Sequence, residues 1–365
     1  MQLADLGEHE GRYPLILKRL RRHEVKQRTL INRQIIFAKR PIGEPDLACF
    51  KLVEAPIGEV GAQQILVRND YVSVDPYIRI RMEEKDSYAP VMKLGDIVVG
   101  RTIAEVIESR HAEFRPGDWV VGRLGWQDYS IAAAAELQKI KPATAPLTAY
   151  LGCLGSTGVT AWIGLVEIGR PKKGETVVVS AAAGAVGSVV GQLAKRRGCR
   201  AVGIAGGAAK CKVVVDEFGF DACVDYKAAS FAEDLRAAVG NGVDIYFENV
   251  GGAILDTVLP LLKHGARIPL CGMVSQYNAT APYGVHNLRE IFNHRVTMRG
   301  FVISDHRDLW PAATKELEEA YAAGELRSRE TIAEGLENAP QAFIDMLKGG
   351  NIGKQIVSIR ARAGR

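Results

Sequence analysis

A two-domain α/β fold is predicted by three observations. The chain has 365 residues and is 47% hydrophobic, which exceeds what one core holds, since single cores seldom grow past about 250 residues. From Gln34 to about Ile140 the sequence reads as short β-type runs punctuated by Gly, Pro and Asp. After Pro146 strands alternate with helical stretches, the pattern of parallel βαβ units with helices on both faces of a sheet.

The first region contains QIIFAKR, QILVRNDYVSV, DIVVGRTIAEVIES and DWVVGRLGWQDYSIAA. These predict a compact, turn-rich β domain. The second contains TVVVS, SVVGQLAKRR, AVGIA, AKCKVVVDEF and VDIYF, which predict a doubly wound parallel sheet. The tail returns to a helix, NAPQAFIDMLKGG, and a strand, KQIVSIR, which together can complete the first domain. The expected division is an extension at 1–30, a β domain from 31–154 and 330–365, and a parallel-sheet domain at 155–329. No internal repeat or low-complexity tract interrupts it.

The formal charge is +5, but residues 1–30 carry seven Lys/Arg against four Asp/Glu, leaving 40 against 38 in the remainder. A nearly neutral body lacks the basic face that nucleic acid requires. The longest apolar candidate for a membrane span, Val177 to Gly191, is broken by Ser and Gly and falls short of about 18 residues. Six cysteines without a C-x-x-C pair argue against a disulfide framework or zinc ribbon and for reduced thiols in a cytoplasmic enzyme. The N-terminal segment lacks the apolar core of a secretory signal.

The segment ETVVVSAAAGAVGSVVGQLAKRRGCRAVGIAGG carries the chemistry. Ala182, Gly184 and Gly187 occupy the three positions of a G-x-G-x-x-G fingerprint, after a strand and at the start of a helix. Small residues there let the backbone turn tightly and offer a pyrophosphate the helix N-terminus. Ala182, Gly184, Ala185, Val186 and Gly187 are therefore the candidate phosphate cradle. An NAD site ends its second strand with an acid that binds ribose hydroxyls and repels a 2′-phosphate. Here the strand runs into Ala205, Gly206 and Gly207 without one, and Lys210 follows, which points to NADPH on charge complementarity.

These residues bring in a family. Through NRQIIFAKRPIGEP, VDPYIRIRM, FRPGDWVVGRLGWQDYS, YLGCLGSTGVTAWIGL, AAAGAVGSVVGQLAK, YFENVGG, CGMVSQYN and NIGKQIV, the chain resembles the zinc-independent medium-chain dehydrogenase/reductases. Within them it resembles the leukotriene B4 hydroxydehydrogenase/prostaglandin reductase group, and the bacterial curcumin-reductase type most. The resemblance implies a GroES-like β domain, an inserted Rossmann domain, an active-site cleft at their junction and a homodimer. It implies NADPH as cofactor and reduction of the carbon–carbon double bond of α,β-unsaturated ketones or aldehydes. Zinc-dependent relatives have a G-H-E motif where this chain reads GDIVVG (95–100), so no metal ligands are expected. Carried onto matching positions, Lys210 and Tyr226 meet the 2′-phosphate, Asn249, Val250 and Gly251 approach the nicotinamide, and Asn351 contacts the cofactor. Lys354 reads as surface charge.

Hydride addition to the β carbon of an enone drives negative charge onto the carbonyl oxygen, which calls for a donor there. Tyr277, in VSQYN after a predicted strand, is the candidate catalytic donor, since a phenol stays protonated at neutral pH. Tyr77, in VDPYIRIRM, is a second polar contact or pocket wall beside an Asp75–Pro76 turn. Arg79 and Arg81 are candidates for binding phosphate or substrate, with surface ion pairs the commoner role, and Tyr88, Trp126 and Tyr283 are weaker pocket candidates that read better as aromatic packing. Residues 278–289 read as a loop closing on the ligand. Quinone reduction on the same fold and NADPH binding with little turnover are the alternatives.

Overall fold

The computed structural model describes residues 30–85 and 87–360; the extension expected at 1–30 lies outside them except for Leu30. The chain begins with β1 (Ile31–Phe37), β2 (Phe50–Pro56) and β3 (Gln64–Ser73), followed by the short helix α1 (Tyr77–Arg81). Strands β4 (Thr102–Ser109), β5 (Trp119–Gly122), β6 (Tyr129–Ala133) and β7 (Leu137–Lys139) follow. The middle region runs α2 (Ser156–Trp162), β8 (Thr176–Val179), α3 (Gly187–Arg196), β9 (Arg200–Ala205), α4 (Ala208–Asp216), β10 (Ala222–Asp225) and α5 (Phe231–Val239). It continues with β11 (Val243–Phe247), α6 (Gly252–Val258), β12 (Leu262–Leu270), α7 (Arg289–Asn293), β13 (Thr297–Gly300) and α8 (Trp310–Ala322). The chain closes with β14 (Glu330–Glu334), α9 (Ala339–Leu347) and β15 (Lys354–Ser358).

Six strands form a parallel sheet in the order β10-β9-β8-β11-β12-β13. The order reverses between β8 and β11, and that switch point is where open α/β sheets bind ligands. Both faces of the central strand are covered, so Val177, Val178 and Val179 are wholly buried and read as one apolar run rather than an alternation. Helix α3 packs on this sheet through a continuous buried stretch from Gly187 to Ala194.

The other large sheet has the order β14-β15-β3-β4-β5-β7, with β6 also paired to β3. Strand β15 joins antiparallel to β3, with Ile356 opposite Ser73, so the last strand of the chain completes the sheet begun by the first region. DIVVGRTIAEVIES, read as one run, forms a strand only from Thr102. DWVVGRLGWQDYSIAA splits into β5 and β6. The break falls at Gly125, whose φ of 77° suits glycine and whose Cβ would meet Ile97 at 2.9 Å. Trp126 is fully buried between Phe50 and Phe343, with ring centroids at 5.8 and 6.1 Å, in agreement with its reading as a packing residue.

Candidate active site

The loop from Ser180 to Val186 joins β8 to α3. Gly187 is required there, because a Cβ would lie 2.4 Å from the Ala181 carbonyl oxygen and 2.9 Å from Ala182 Cα. Ala182 is buried and donates its N–H to the Ile204 carbonyl at 3.0 Å, which fixes the loop on the sheet. Gly184 is open except for the Ala181 oxygen at 3.1 Å, and Ala185 and Val186 are half-buried. The N-terminus of α3 carries no side-chain cap, so no side chain competes there with an anion, although Ser188 and Val189 N–H donate to the Gly184 and Val186 carbonyls at 3.0 and 3.1 Å. The loop is braced from the other sheet: Gly353 N–H donates to the Ala183 carbonyl at 2.7 Å, and Gly184 bridges Gly353. Asn351 Nδ2 donates to the Gly353 carbonyl at 2.8 Å, which places it beside this junction.

At the end of β9, Tyr226 covers Gly206 so closely that a Cβ on the glycine would meet the ring at 2.8 Å. Lys210, on the first turn of α4, donates to the Gly349 carbonyl at 2.6 Å. Burial, and then neighbouring Lys227, lower its pKa, so it is a held ammonium rather than a solvated one. The acid missing from the end of β9 stands on the next strand. Asp225 accepts from Gly207 N–H at 2.7 Å and Lys227 N–H at 2.9 Å, and these bonds keep its carboxyl below the usual range.

Beyond β11, Asn249 donates from Nδ2 to the Ser180 carbonyl at 2.7 Å and from its backbone N–H to Ser180 Oγ at 2.7 Å. Val250 N–H donates to Glu248 Oε1 at 2.6 Å. Gly251 takes a φ of 72° and packs against Met273. Glu248, not anticipated from sequence, is fully buried and accepts Ser180 Oγ at 2.7 Å. Burial raises its pKa against the lowering effect of those bonds. Its place inside an apolar run was the available signal, because an acid buried there has to organise neighbouring donors.

Tyr277 follows a turn at Val274–Gln276. Its phenol lies over Gly272, where a Cβ would be 2.9 Å from the hydroxyl, and accepts a long bond of 3.4 Å from Met273 N–H. Burial raises its pKa. Tyr77 opens α1, and burial with Asp75 pushes its phenol up to about 12 against the pull of Arg123, Arg81 and Arg101. Tyr88 joins them: its phenol is raised by desolvation, then by Tyr277, Cys271, Tyr77 and Asp75. All three phenols are held protonated by burial.

Four side chains depart from the sequence reading. Lys354 is buried, not surface charge, and pairs with Asp75 at 2.8 Å. Arg79 is 4% exposed and donates to the Gly43 carbonyl at 2.9 Å and to Glu83 at 3.2 Å; it holds a loop. Tyr88 is 56% exposed instead of packing in a core. Tyr283 is 38% exposed and donates to Asp256 at 2.8 Å, tying the loop at 278–289 to α6. Among the described residues no three His, Cys, Asp or Glu gather as a metal site, and no helix is long and apolar enough to cross a membrane.

Comparisons with known proteins show the family and the fold. Residues 33–140 match the family model for the N-terminal domain of oxidoreductase, and residues 185–319 match the model described as zinc-binding dehydrogenase. The chain is 45% identical over 334 residues to the NADPH-dependent curcumin reductase of Escherichia coli (strain K12), covering 90% of this chain and 97% of that one. It is 41% identical over 337 residues to the NADP(+)-dependent 2-alkenal reductase of Nicotiana tabacum, covering 90% and 97%. Among solved structures, CurA from Vibrio vulnificus in complex with NADPH superimposes with a TM-score of 0.86 at 45% identity, covering 90% of this chain and 99% of that one.

Proposed function

Because the chain belongs to the zinc-independent medium-chain dehydrogenase/reductases, in the prostaglandin reductase and curcumin reductase group, we propose that it reduces the carbon–carbon double bond of α,β-unsaturated ketones and aldehydes with NADPH. The observation that carries this is the 45% identity over 334 residues to an NADPH-dependent curcumin reductase, and Tyr277 and Tyr77, whose phenols burial holds protonated, are the candidate donors.

The residues present fit the cofactor. The α3 N-terminus, free of any side-chain cap, and the open Gly184 suit a pyrophosphate, while Lys210 and the Tyr226–Gly206 contact suit a 2′-phosphate. Asp225 stays ionised, its carboxylate turned onto the Gly207 and Lys227 amides at 2.7 and 2.9 Å. Asn249, Val250 and Gly251 form the wall on the nicotinamide side, and Asn351 supports the loop from the β domain. When bound, NADPH supplies the hydride.

The chain's own part is to hold the substrate carbonyl and supply a proton. A neutral donor placed where negative charge collects lowers the barrier most in a site screened from water. Tyr277 serves as that donor and Tyr77 as a second polar contact. Each phenol keeps its proton because ionising it inside the cleft is costly.

Residues 31–154 with 330–365 are the substrate-side domain and 155–329 the cofactor domain in this proposal, which sheet membership supports for the described residues; 361–365 lie outside them. A cytoplasmic homodimer is the proposed state. The open edge strand β13 and the exposed Phe292 and Leu288, at 82% and 58%, support a second copy at this edge. The test is product identification after incubation with NADPH and an enone. A saturated ketone is expected; an allylic alcohol, or turnover with quinones alone, would overturn the assignment.

A further inference from the structure

Lys354 and Asp75, 3% and 8% exposed, form an ion pair at 2.8 Å just before α1. Taking two charges out of water costs about as much as their attraction returns, and an apolar pair of similar volume often holds a fold as well or better. Stability alone therefore does not account for the pair. An apolar pair fixes no direction, whereas an ammonium with two acceptors does.

Both acceptors belong to the turn in front of Tyr77. Lys354 Nζ donates to the Val74 carbonyl at 2.9 Å and to Asp75 Oδ1 at 2.8 Å. The other carboxylate oxygen of Asp75 takes the Ser73 hydroxyl, and Val74 N–H donates to the Gln355 carbonyl at 3.2 Å. The Asp75 carbonyl accepts Ile78 N–H at 3.1 Å, which closes the turn that Tyr77 enters as the first residue of α1. The residue before Lys354 serves the other half of the site. Gly353 N–H donates to the Ala183 carbonyl at 2.7 Å, and Gly353 bridges Gly184; both partners lie in the loop proposed for the pyrophosphate. Consecutive Cα atoms are about 3.8 Å apart across a trans peptide. One stiff peptide unit thus joins the backbone that would hold the cofactor to the backbone that presents Tyr77.

We propose that Lys354 and Asp75 are positioning residues for the reduction: they act through Tyr77, whose hydroxyl they set against the substrate at a distance referenced to the dinucleotide loop. Hydride donor and acceptor have to be held in a near-attack arrangement, and a displacement of about 1 Å can cost about a hundredfold in rate. The charge-assisted bonds at Lys354 supply that stiffness where a chain turn would otherwise have freedom. This rests on the enone reductase reading, with Tyr77 as a substrate contact, and adds to it the residues that align substrate with cofactor.

The experiment is a cycle of four proteins: unaltered, Tyr77→Phe, the paired replacement Lys354→Met with Asp75→Asn, and all three changes together. The paired replacement removes both charges, so neither is left buried alone. Each protein is assayed with NADPH and 4-phenylbut-3-en-2-one, and NADPH binding is measured separately by fluorescence titration. The paired replacement is expected to lower kcat/KM for the enone about ten- to a hundredfold and to move the NADPH Kd by less than about twofold. In the Tyr77→Phe background it should cost nothing further, because residues that act as one unit are not additive. Ser73→Ala, which frees one Asp75 oxygen and leaves the ion pair intact, should give a smaller loss with the same dependence on Tyr77, and it serves if the paired replacement does not fold. An equal fall with and without the Tyr77 hydroxyl overturns the proposal and leaves the pair a brace of the fold. No fall at all overturns it too, as does an NADPH Kd that weakens in step with kcat/KM, or a Tyr77→Phe variant as active as the unaltered protein. Failure of the unaltered protein to reduce this or any other enone would remove the underlying function instead.

Discussion

Lys354 Nζ lies 2.8 Å from Asp75 Oδ1 and 2.9 Å from the Val74 carbonyl, with both side chains buried. The pair clamps the start of β15 to the turn that presents Tyr77. Removing one member of a buried pair leaves an uncompensated charge, at a cost of about 3–5 kcal/mol. Lys354→Met is therefore expected to lower the midpoint of thermal or urea unfolding markedly. The double variant Lys354→Met with Asp75→Asn should recover part of the loss. Additive losses in the double variant would show that the two do not interact.

How far this site could be read from sequence follows from the spacing of its parts. Gly184, Gly187, Gly206 and Lys210 lie within one βαβ unit, where each residue's role follows from the turn it must make. The alternation of strand and helix likewise made the parallel sheet legible. Lys354 and Asp75 are 279 positions apart and meet because β15 returns beside β3, which no local pattern encodes. Tyr88 sits outside regular structure, so no periodicity indicates its direction. Arg79 lies in YIRIRM, where a buried arginine and an exposed one look alike until the Gly43 carbonyl is in place.

Two glycines are predicted to be irreplaceable for different reasons. A Cβ on Gly187 would strike the Ala181 carbonyl oxygen at 2.4 Å, and one on Gly353, at φ 70°, would lie 1.9 Å from the Arg329 oxygen. In both places the obstacle is backbone, which yields little. Gly353→Ala should destabilise the fold by about 1–3 kcal/mol or more, as strained backbone does, and Gly187→Ala should also abolish cofactor binding. Calorimetric melts with and without NADPH check both; an unshifted melt for Gly353→Ala would contradict the packing.

Lys210 tests the cofactor preference. Its ammonium, half-buried and bonded to the Gly349 carbonyl at 2.6 Å, is the cation proposed for the 2′-phosphate. Loss of one hydrogen bond to a charged group, about 1.5–3 kcal/mol, should raise the NADPH KM of Lys210→Ala by roughly ten- to a hundredfold. The NADH KM should change little. A parallel rise for both cofactors would mean that Lys210 only braces the Gly349 turn.

Glu248 predicts a pH dependence. Burial raises its carboxyl above the ordinary 4.5, so between that value and the raised one the folded chain holds a proton that the unfolded chain has released. Stability then falls as pH rises through this window and stays lower above it. Glu248→Gln keeps an acceptor for Ser180 Oγ and Val250 N–H without the charge. Unfolding curves across pH should show the variant gaining on the unaltered protein from about 4.5 upward. Identical pH profiles would assign the carboxylate no such penalty.

The last prediction concerns Tyr277. In conjugate addition the new charge spreads from the α carbon to the carbonyl oxygen, and a neutral phenol can meet it there without first losing its own proton. Because burial raises the Tyr277 pKa and pushes Tyr77 to about 12, both donors stay protonated past the ordinary phenol value. Turnover should therefore show no loss from phenol ionisation below about pH 10. Tyr277→Phe keeps the ring over Gly272 and removes only the donor. If the phenol acts on the developing charge, turnover should fall by roughly ten- to a thousandfold while the NADPH KM changes much less. Deuterium from cofactor labelled at C4 is expected on the β carbon of the saturated product. Should turnover persist and only cofactor affinity weaken, Tyr277 is an anchor for the cofactor. The donor role would then pass to Tyr77 or Tyr88, which Tyr77→Phe and Tyr88→Phe would separate by the same two readouts.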